Sequence, residues 1–397
     1  MLVGNSCLRL SHSLTRMLIA LVGLVWVTSG TCSAQADSGA GSAIGAGPII
    51  VHSKFGGQIF GFDIDQNGTE GVLAEAKTLN NGNIDAAVET FDQKTGKILN
   101  VLIRTQTMDD FLTLGVVGTS VGLIEHEHVI SFLNVQRTFN VINPLGTNKF
   151  TAKWTPPIGA KHLITEVTRN QGGATNAIFA EDNSGNFVPW VFTTNAANNT
   201  FSKVIHITDS DNFGSTTPPM AYNAQANQAI LGGGNGCFGC IPQFGVADFT
   251  NGTFTEFRGS GFGFVNGIAI DAADNLMVTT TEDDASVEYY DLVTQNALAV
   301  FELPNTGGNQ FFSGADVEFD PIHKLFLVAQ PNTSSAASGS SIYVYDTNFN
   351  LVETLNGLSF SNAFNIIPAH IAIRPNTRTG FVDGPSANVS ELQSFRY

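Results

Sequence analysis

An all-β fold of tandem four-stranded sheets is predicted by three observations. The first is a pattern that recurs through the C-terminal half. It appears as NGIAIDAADNLMVTTTEDDASVEYYDLVTQNALAVFELP from Asn266, and as GADVEFDPIHKLFLVAQ followed by SIYVYDTNFNLVETLNG from Gly314. HIAIRPNTRTGFVDGPSANVSELQSFRY from His370 repeats it, and PPMAYNAQANQAILGGGN from Pro218 opens a looser copy. The second is that from Pro48 onward apolar residues alternate in short runs broken by Gly, Asn, Asp and Pro, with no long helical periodicity. The third is a turn-rich composition, with 41 Gly and only 13% charged residues. A repeat of about 45 residues made of four short strands cannot bury both faces alone and must stack on its neighbours. Radial stacking of such units gives a single β-propeller.

The chain begins with a cleaved secretory signal peptide over residues 1–36. Arg9 and Arg16 supply a positive start, residues 17–27 are apolar, and Ala34-Gln35-Ala36 is a small-x-small cleavage site, so the mature chain starts at Asp37. The apolar run is about half of the roughly 20 residues a membrane span needs. Cys32 follows Thr31 and has no Leu three residues earlier, which argues against a lipid anchor. No later stretch is long and apolar enough for a transmembrane span, and the expected location is secreted or periplasmic. Residues 37–47 (DSGAGSAIGAG) form a flexible Gly/Ser/Ala spacer, and residues 48–397 the β-propeller domain. The formal net charge is −16, and loss of Arg9 and Arg16 with the leader makes the mature chain more acidic. That sign opposes nucleic acid and anionic membranes as partners, while 43% apolar residues is too much for a disordered acidic chain.

Aligned copies give the order of strands within a blade. The inner strand reads VEFD (317–320), IAID (268–271) or IAIR (371–374), closed by turns such as DPIHK and DAADN. LFLVAQ (325–330), LMVTTT (276–281) and GFVDG (380–384) come second, and IYVYD (342–346) and VEYYD (287–291) third. LVETL (351–355) and LAVFEL (298–303) are outermost and wetter. Earlier copies are weaker. AAVETFDQKTGKILNVLI (86–103) reads as an inner hairpin with Asp92 in the place of Asp271 and Asp320. VGLIEHEHVISFLNV (121–135) and ITEVTRNQGGATNAIFAED (164–182) open two more units. Inner strands are thus expected to begin near 87, 122, 166, 220, 267, 316 and 371, which predicts seven antiparallel blades; one longer blade with an insertion would make six. The last unit ends after its third strand, and IIVHSK (49–54) and QIFGFDID (58–65) lack an inner strand of their own. Pairing of the N- and C-terminal strands within one blade is expected to close the ring.

Phrases such as IYVYDTNFNLVETL and GIAIDAADNLMVTTT resemble the NHL and YVTN-type propeller families of exported bacterial proteins, clearly over residues 218–397 and faintly before. The resemblance implies a shared architecture rather than one activity. Ligands of propellers bind at a mouth of the central channel, where the segments leading into the inner strands converge. The aligned repeats put Asp316, His370, Glu166 and Asn266-Gly267 there, with Asp85 a looser candidate. Carboxylates with an Asn carbonyl form a hard oxygen set suited to calcium. This set resembles that of the gluconolactonase-type propellers. The resemblance implies Glu166, Asn266 and Asp316 as ligands of a divalent ion, with calcium the candidate and no other cofactor indicated, and His370 as a candidate base. The ion would polarise a lactone carbonyl or activate water. The chain departs from that family where Glu70-Gly71 is followed by Val72 in place of Pro. The plainer role for the same residues is to cap strand ends and hold loop backbones.

Other motifs carry less. Cys237 and Cys240, the only cysteines after the leader, lie in GGGNGCFGCIP and are expected to form a local disulfide. DIDQNGTE (63–70) imitates a calcium loop, but Ala74 stands where the bidentate Glu should be, so Asn67-Gly68 reads as a hairpin turn; DFTNGTF (248–254) repeats that chemistry. His126 and His128 would share one face of a strand without a third ligand. DQKTGKILN (92–100) resembles the docking motif of quinone-dependent dehydrogenases but occurs once and ends in Asn100 instead of Trp. No Walker loop, HExxH or GxSxG is present. The expected function is an exported module that binds a protein, glycan or small-molecule ligand. A calcium-dependent lactonase is the alternative, and a structural envelope component a third reading.

Overall fold

The computed structural model describes residues 48–397 except 66–68, 82–83, 108–121, 125–128, 134–137, 143–147, 154–162, 171–172, 182–186, 196–199, 202–204, 208–218, 234–240, 261–262, 264, 282–285, 304–315, 331–339, 359–369 and 386–389. Among the described residues the strands fall into seven antiparallel sheets. Sheet 1 contains Gln58–Ile64, Glu70–Thr78, Ile84–Asp92 and Ile98–Thr107, and sheet 2 Gly122–Ile124, Val129–Leu133, Thr138–Ile142 and Asn148–Lys153. Sheet 3 contains Leu163–Asn170, Gly173–Glu181 and Phe187–Asn195, with the short strands Thr200–Phe201 and Ile205–His206 both paired to the last of these. Sheet 4 has Met220–Asn223, Gln228–Gly233, Gln243–Asp248 and Thr253–Arg258; sheet 5 has Val265–Asp271, Leu276–Thr281, Ser286–Asp291 and Asn296–Glu302. Sheet 6 has Asp316–Asp320, Leu325–Gln330, Ser340–Asp346 and Leu351–Leu358. Sheet 7 joins Ile371–Arg374, Thr379–Pro385 and Ser390–Arg396 to the first strand of the chain, Ile50–His52. The first strand of each sheet touches that of the next, and sheet 7 returns to sheet 1, so the strands form a ring. This is a β-propeller.

Stacking explains why strands two and three are buried on both faces. Leu276–Thr281 and Leu325–Gln330 are buried at every position, whereas the outer strand Asn296–Glu302 is largely exposed. Successive side chains of a strand point to opposite faces, so the consecutive Tyr289 and Tyr290 serve different neighbours. Tyr290 packs against Phe244 of sheet 4 at 5.2 Å, and Tyr289 against Phe326 of sheet 6 at 5.7 Å. Apolar clusters fill the gaps between sheets 3 and 4, 4 and 5, 5 and 6, 6 and 7, and 7 and 1. Each buried Leu, Ile or Phe there stabilises by about 1.5–3 kcal/mol.

The first sheet differs from expectation. Its inner strand is Gln58–Ile64, and residues near 87 belong to its third strand, Ile84–Asp92. Only Ile50–His52 therefore joins the last sheet, with Val51 opposite Leu392. Glu70 begins the second strand of sheet 1. Asp92 matches Asp248, Asp291 and Asp346 at the close of third strands, not Asp271 and Asp320 at the close of first strands.

Those aspartates explain the tight turns. Asp92 Oδ1 accepts from the N–H groups of Lys94 and Thr95, Asp248 Oδ1 from Thr250 and Asn251, and Asp291 Oδ1 from Val293 and Thr294. Four residues after each aspartate the backbone turns left-handed, at Gly96 (φ 72°), Gly252 (φ 72°) and Gln295 (φ 58°). First strands close the same way: Asp320 Oδ1 accepts from Ile322 and His323, followed by Lys324 at φ 56°. A short side chain that bonds its own backbone two and three residues on favours such turns. DFTNGTF is thus one of these longer turns and not a two-residue hairpin. Residues 66–68 lie outside the described residues.

Candidate functional site

The order of strands gives the ring two unlike rims. Connections from first to second and from third to fourth strands share one rim, and the aspartate turns occupy it. Connections from second to third strands, and from each outer strand to the next sheet, share the other. The described strands on either side of positions 234–240, 304–315, 331–339 and 359–369 end and begin at this second rim. Inner strands start there, and so do Asn266, Asp316 and His370.

The structure brings these three positions together from sheets 5, 6 and 7. Asp316 opens its strand, with Oδ1 accepting from Val317 N–H at 2.8 Å and Oδ2 from Ile371 N–H at 3.1 Å. The carboxylate thus links sheet 6 to the residue after His370. Gly267 lies against it on the other side: a Cβ there would sit 2.8 Å from both Asp316 Oδ1 and Val317 N. Asn266 occupies a β-bulge, since Val265 pairs with Thr281 and Gly267 with Thr280. Its Nδ2 is buried and has no hydrogen-bond partner among the described residues. His370 is half-buried just before Ile371–Arg374.

Calcium takes six to eight oxygens; Asp316 Oδ1 and Oδ2 each already accept one backbone N–H bond and keep a lone pair. Among the described residues no group of three or more His, Cys, Asp or Glu side chains is arranged to hold a metal ion. Glu166 lies within Leu163–Asn170, paired with Ala177, and its side chain is outside the description. Cys237, Cys240, His126 and His128 lie outside the described residues altogether. Asp85 is on a third strand and forms a two-pronged ion pair with Arg104 of the outer strand, at 2.9 and 2.8 Å.

Sequence reasoning missed a second polar cluster, under residues 53–57, which link sheet 7 to sheet 1. Glu75 and Glu89 are buried there. Glu75 accepts from Phe55 N–H at 3.1 Å and Gly57 N–H at 2.6 Å; Glu89 Oε2 accepts from Lys54 N–H at 3.0 Å. Lys77 Nζ donates to the carbonyl of Phe55, whose ring carries the Arg104 guanidinium 4.0 Å from its centroid. Desolvation, reinforced by the Glu75 carboxylate, pushes the Glu89 carboxyl up to about 7 against the Lys54 N–H bond. Sheet 5 repeats the arrangement. Glu288 is buried, accepts from Ser260 N–H and Ser286 Oγ, and bonds the Tyr290 hydroxyl. The signal was a Glu three residues before the aspartate that closes a third strand: Glu89 with Asp92, Glu288 with Asp291.

No protein-family profile matches the chain. No curated protein matches it either. Solved structures do. U3-55K superposes with a TM-score of 0.60 at 11% identity, over 88% of this chain and 98% of that one. The β-propeller domain of Cps50 (Swd1) from Myceliophteria thermophila gives 0.54 at 12% identity, over 87% and 98%. At such identities the likeness is one of fold, and it agrees with the ring of sheets: the chain is a β-propeller.

Proposed function

We propose that this propeller is an exported binding module of NHL or YVTN type that takes a protein, glycan or small ligand across the rim where its inner strands start. The contrast between the rims carries the reading. Among the described residues, one rim is closed by short, internally bonded turns. The connections at the other include PNTGGNQFFSGA (304–315), PNTSSAASG (331–339) and SFSNAFNIIPA (359–369). Small, adaptable polar residues interspersed with Phe are suited to contact surfaces. Asn266, whose buried Nδ2 has no hydrogen-bond partner among the described residues, and half-buried His370 place polar side chains where the inner strands start on that rim.

Immobilised glycans and a displayed peptide library, screened against the mature chain, test this proposal. Asn266→Ala and His370→Ala should weaken any selected ligand about ten-fold, and Asp274→Asn on the opposite rim should not. Equal binding by all variants would remove the assignment. The calcium-dependent lactonase is the second reading, since Asn266, Asp316 and His370 adjoin; it needs Glu166 or other oxygens from outside the described residues. Calcium-dependent melting lost in Asp316→Ala, together with lactone turnover, would establish it. Export over residues 1–36 predicts a mature N-terminus at Asp37, read by terminal sequencing of protein recovered outside the cytoplasm.

A further inference from the structure

We propose that the Glu75–Glu89 carboxyl pair is a proton-operated latch: one shared proton clamps residues 53–57 onto sheet 1, and its loss frees that segment while the sheets stay folded. These residues form the seam of the ring, where the chain leaves sheet 7 for sheet 1. Side chains of sheet 1 hold their backbone. Glu75 takes the N–H groups of Phe55 and Gly57, Glu89 takes that of Lys54, and Lys77 bonds the Phe55 carbonyl.

Strand register places the two carboxyls together. Glu75 pairs with Ala87, so Glu89, two residues on, shares its face of the sheet. Diagonal neighbours of this kind stand about 7–8 Å apart, within reach of long side chains. Both residues are closed to water, and Glu89 Oε1 has no hydrogen-bond partner among the described residues. Ionised, that oxygen would be buried without a donor, which is costly. Protonated, it donates to the Glu75 carboxylate, whose oxygens each keep a lone pair beside their N–H bonds. Sheet 5 supplies the contrast. Glu288 likewise takes the Ser260 N–H from the preceding link, but its Oε1 accepts from Ser286 Oγ and its Oε2 bonds the Tyr290 hydroxyl. Hydroxyl groups do there what a proton does in sheet 1.

The surrounding charges agree. Lys77, Asp85 and Arg104 share the face of Glu75 and Glu89, since Lys77 pairs with Asp85 and Ala87 with Arg104. With Glu89 neutral, the two cations balance Glu75 and Asp85; its ionisation adds an unmatched negative charge. Desolvation, with the charge of Glu75 and a hydrogen bond to it, outweighs the Lys54 N–H bond and charge, so Glu89 titrates near 7 instead of 4.5. From sheet 7 comes His52, paired with Glu391 at 2.9 Å. The proton is exchanged with solvent. The latch holds fully below pH 4.5, where the released segment also leaves Glu89 protonated, and weakens as pH rises to 7.

Hydrogen exchange of the Lys54, Phe55 and Gly57 amides tests the proposal, expressed as protection so that the chemical pH dependence cancels. Protection should fall about ten-fold per unit between pH 4.5 and 7 and then level off. It should also stay at least about ten-fold below that of Leu276–Thr281, which marks opening of the segment ahead of the ring. In E89Q the amide donates to Glu75 at every pH, so protection of the three amides should lose its slope. H52Q should keep the slope. Parallel profiles for wild type and E89Q, a slope lost in H52Q, or protection equal to that of Leu276–Thr281 overturns the proposal. Infrared titration of the wild type needs no variant: absence of a neutral-carboxyl band at about pH 6 overturns it as well.

Discussion

Glu89 shows how a single side chain sets a pH dependence. Its carboxyl titrates near 7 in the folded chain, because desolvation and Glu75 outweigh the Lys54 N–H bond, against an ordinary value of 4.5. Between those values the folded state holds a proton that the unfolded state has released. Stability therefore falls as pH rises through that window and levels off above it. Gln at this position keeps an oxygen for Lys54 N–H and cannot ionise. Glu89→Gln should thus gain on the wild type between pH 4.5 and 7, by up to roughly 3 kcal/mol at the top of the window. Denaturant unfolding across pH reads this, and parallel profiles for the two proteins would refute the raised value. Gly267 makes a steric case. A methyl group 2.8 Å from the Val317 nitrogen has no flexible neighbour to displace. Gly267→Ala should cost about 1–3 kcal/mol and loosen the Asp316–Ile371 link, read by melting and by faster exchange of the Ile371 amide.

At the scale of elements, the turns were the most legible part and the first sheet the least. Alternation located the strands, and breaks such as DPIHK and DAADN located the turns, because an aspartate that bonds its own backbone needs a fixed spacing. Alternation could not distinguish a first strand from a third, since neighbouring sheets cover both faces of each. Ile84–Asp92 with Val88 and Phe91 is as apolar as an inner strand, whereas the true one, Gln58–Ile64, carries Gln58, Gly61 and Asp63. The rim positions of Asn266, Asp316 and His370 followed from aligned repeats; the Glu75–Glu89 cluster did not, because it depends on where residues 53–57 fold back. Asp320 links turn to neighbouring sheet: its Oδ1 holds Ile322 and His323, and its Oδ2 accepts the Tyr397 hydroxyl at 2.8 Å. Desolvation raises its carboxyl, but these bonds and the His323 ring together hold it below the ordinary value. A lowered folded value gives stability that is present above about pH 4 and lost as pH falls through the folded value. Asp320→Ala should cost about 2–4 kcal/mol at pH 7 and less at pH 3, with Asp320→Asn in between, as read by denaturant unfolding.

For the molecule as a whole, one three-residue strand joins the two ends of the fold. Ile50–His52 completes sheet 7, and the chain then runs through residues 53–57 into sheet 1, where Glu75 and Glu89 bond that segment. Around it, Ser394 N–H donates to Ile49 O, Ile49 N–H donates to Ser394 Oγ, and His52 meets Glu391 at 2.9 Å. Val51 is fully buried among Ile59, Phe381 and Leu392, so it belongs to the core between the last sheet and the first. A carboxylate placed there would be buried without a partner, or would drive the strand out to solvent. Displacement would leave the backbone of Ser390–Arg396 as an open sheet edge, uncover Leu392, and part sheet 7 from sheet 1. Val51→Asp should therefore cost about 3–5 kcal/mol, lower the melting of the entire ring in one transition, and admit protease near residues 48–57. Val300→Asp, on an exposed outer strand, should leave melting within a degree or so of the wild type. If Val51→Asp instead frayed only the N-terminal strand and the rest melted as before, sheets 1 and 7 would be held together by their facing inner strands alone. The terminal pairing would then be an accessory to the ring and not its closure.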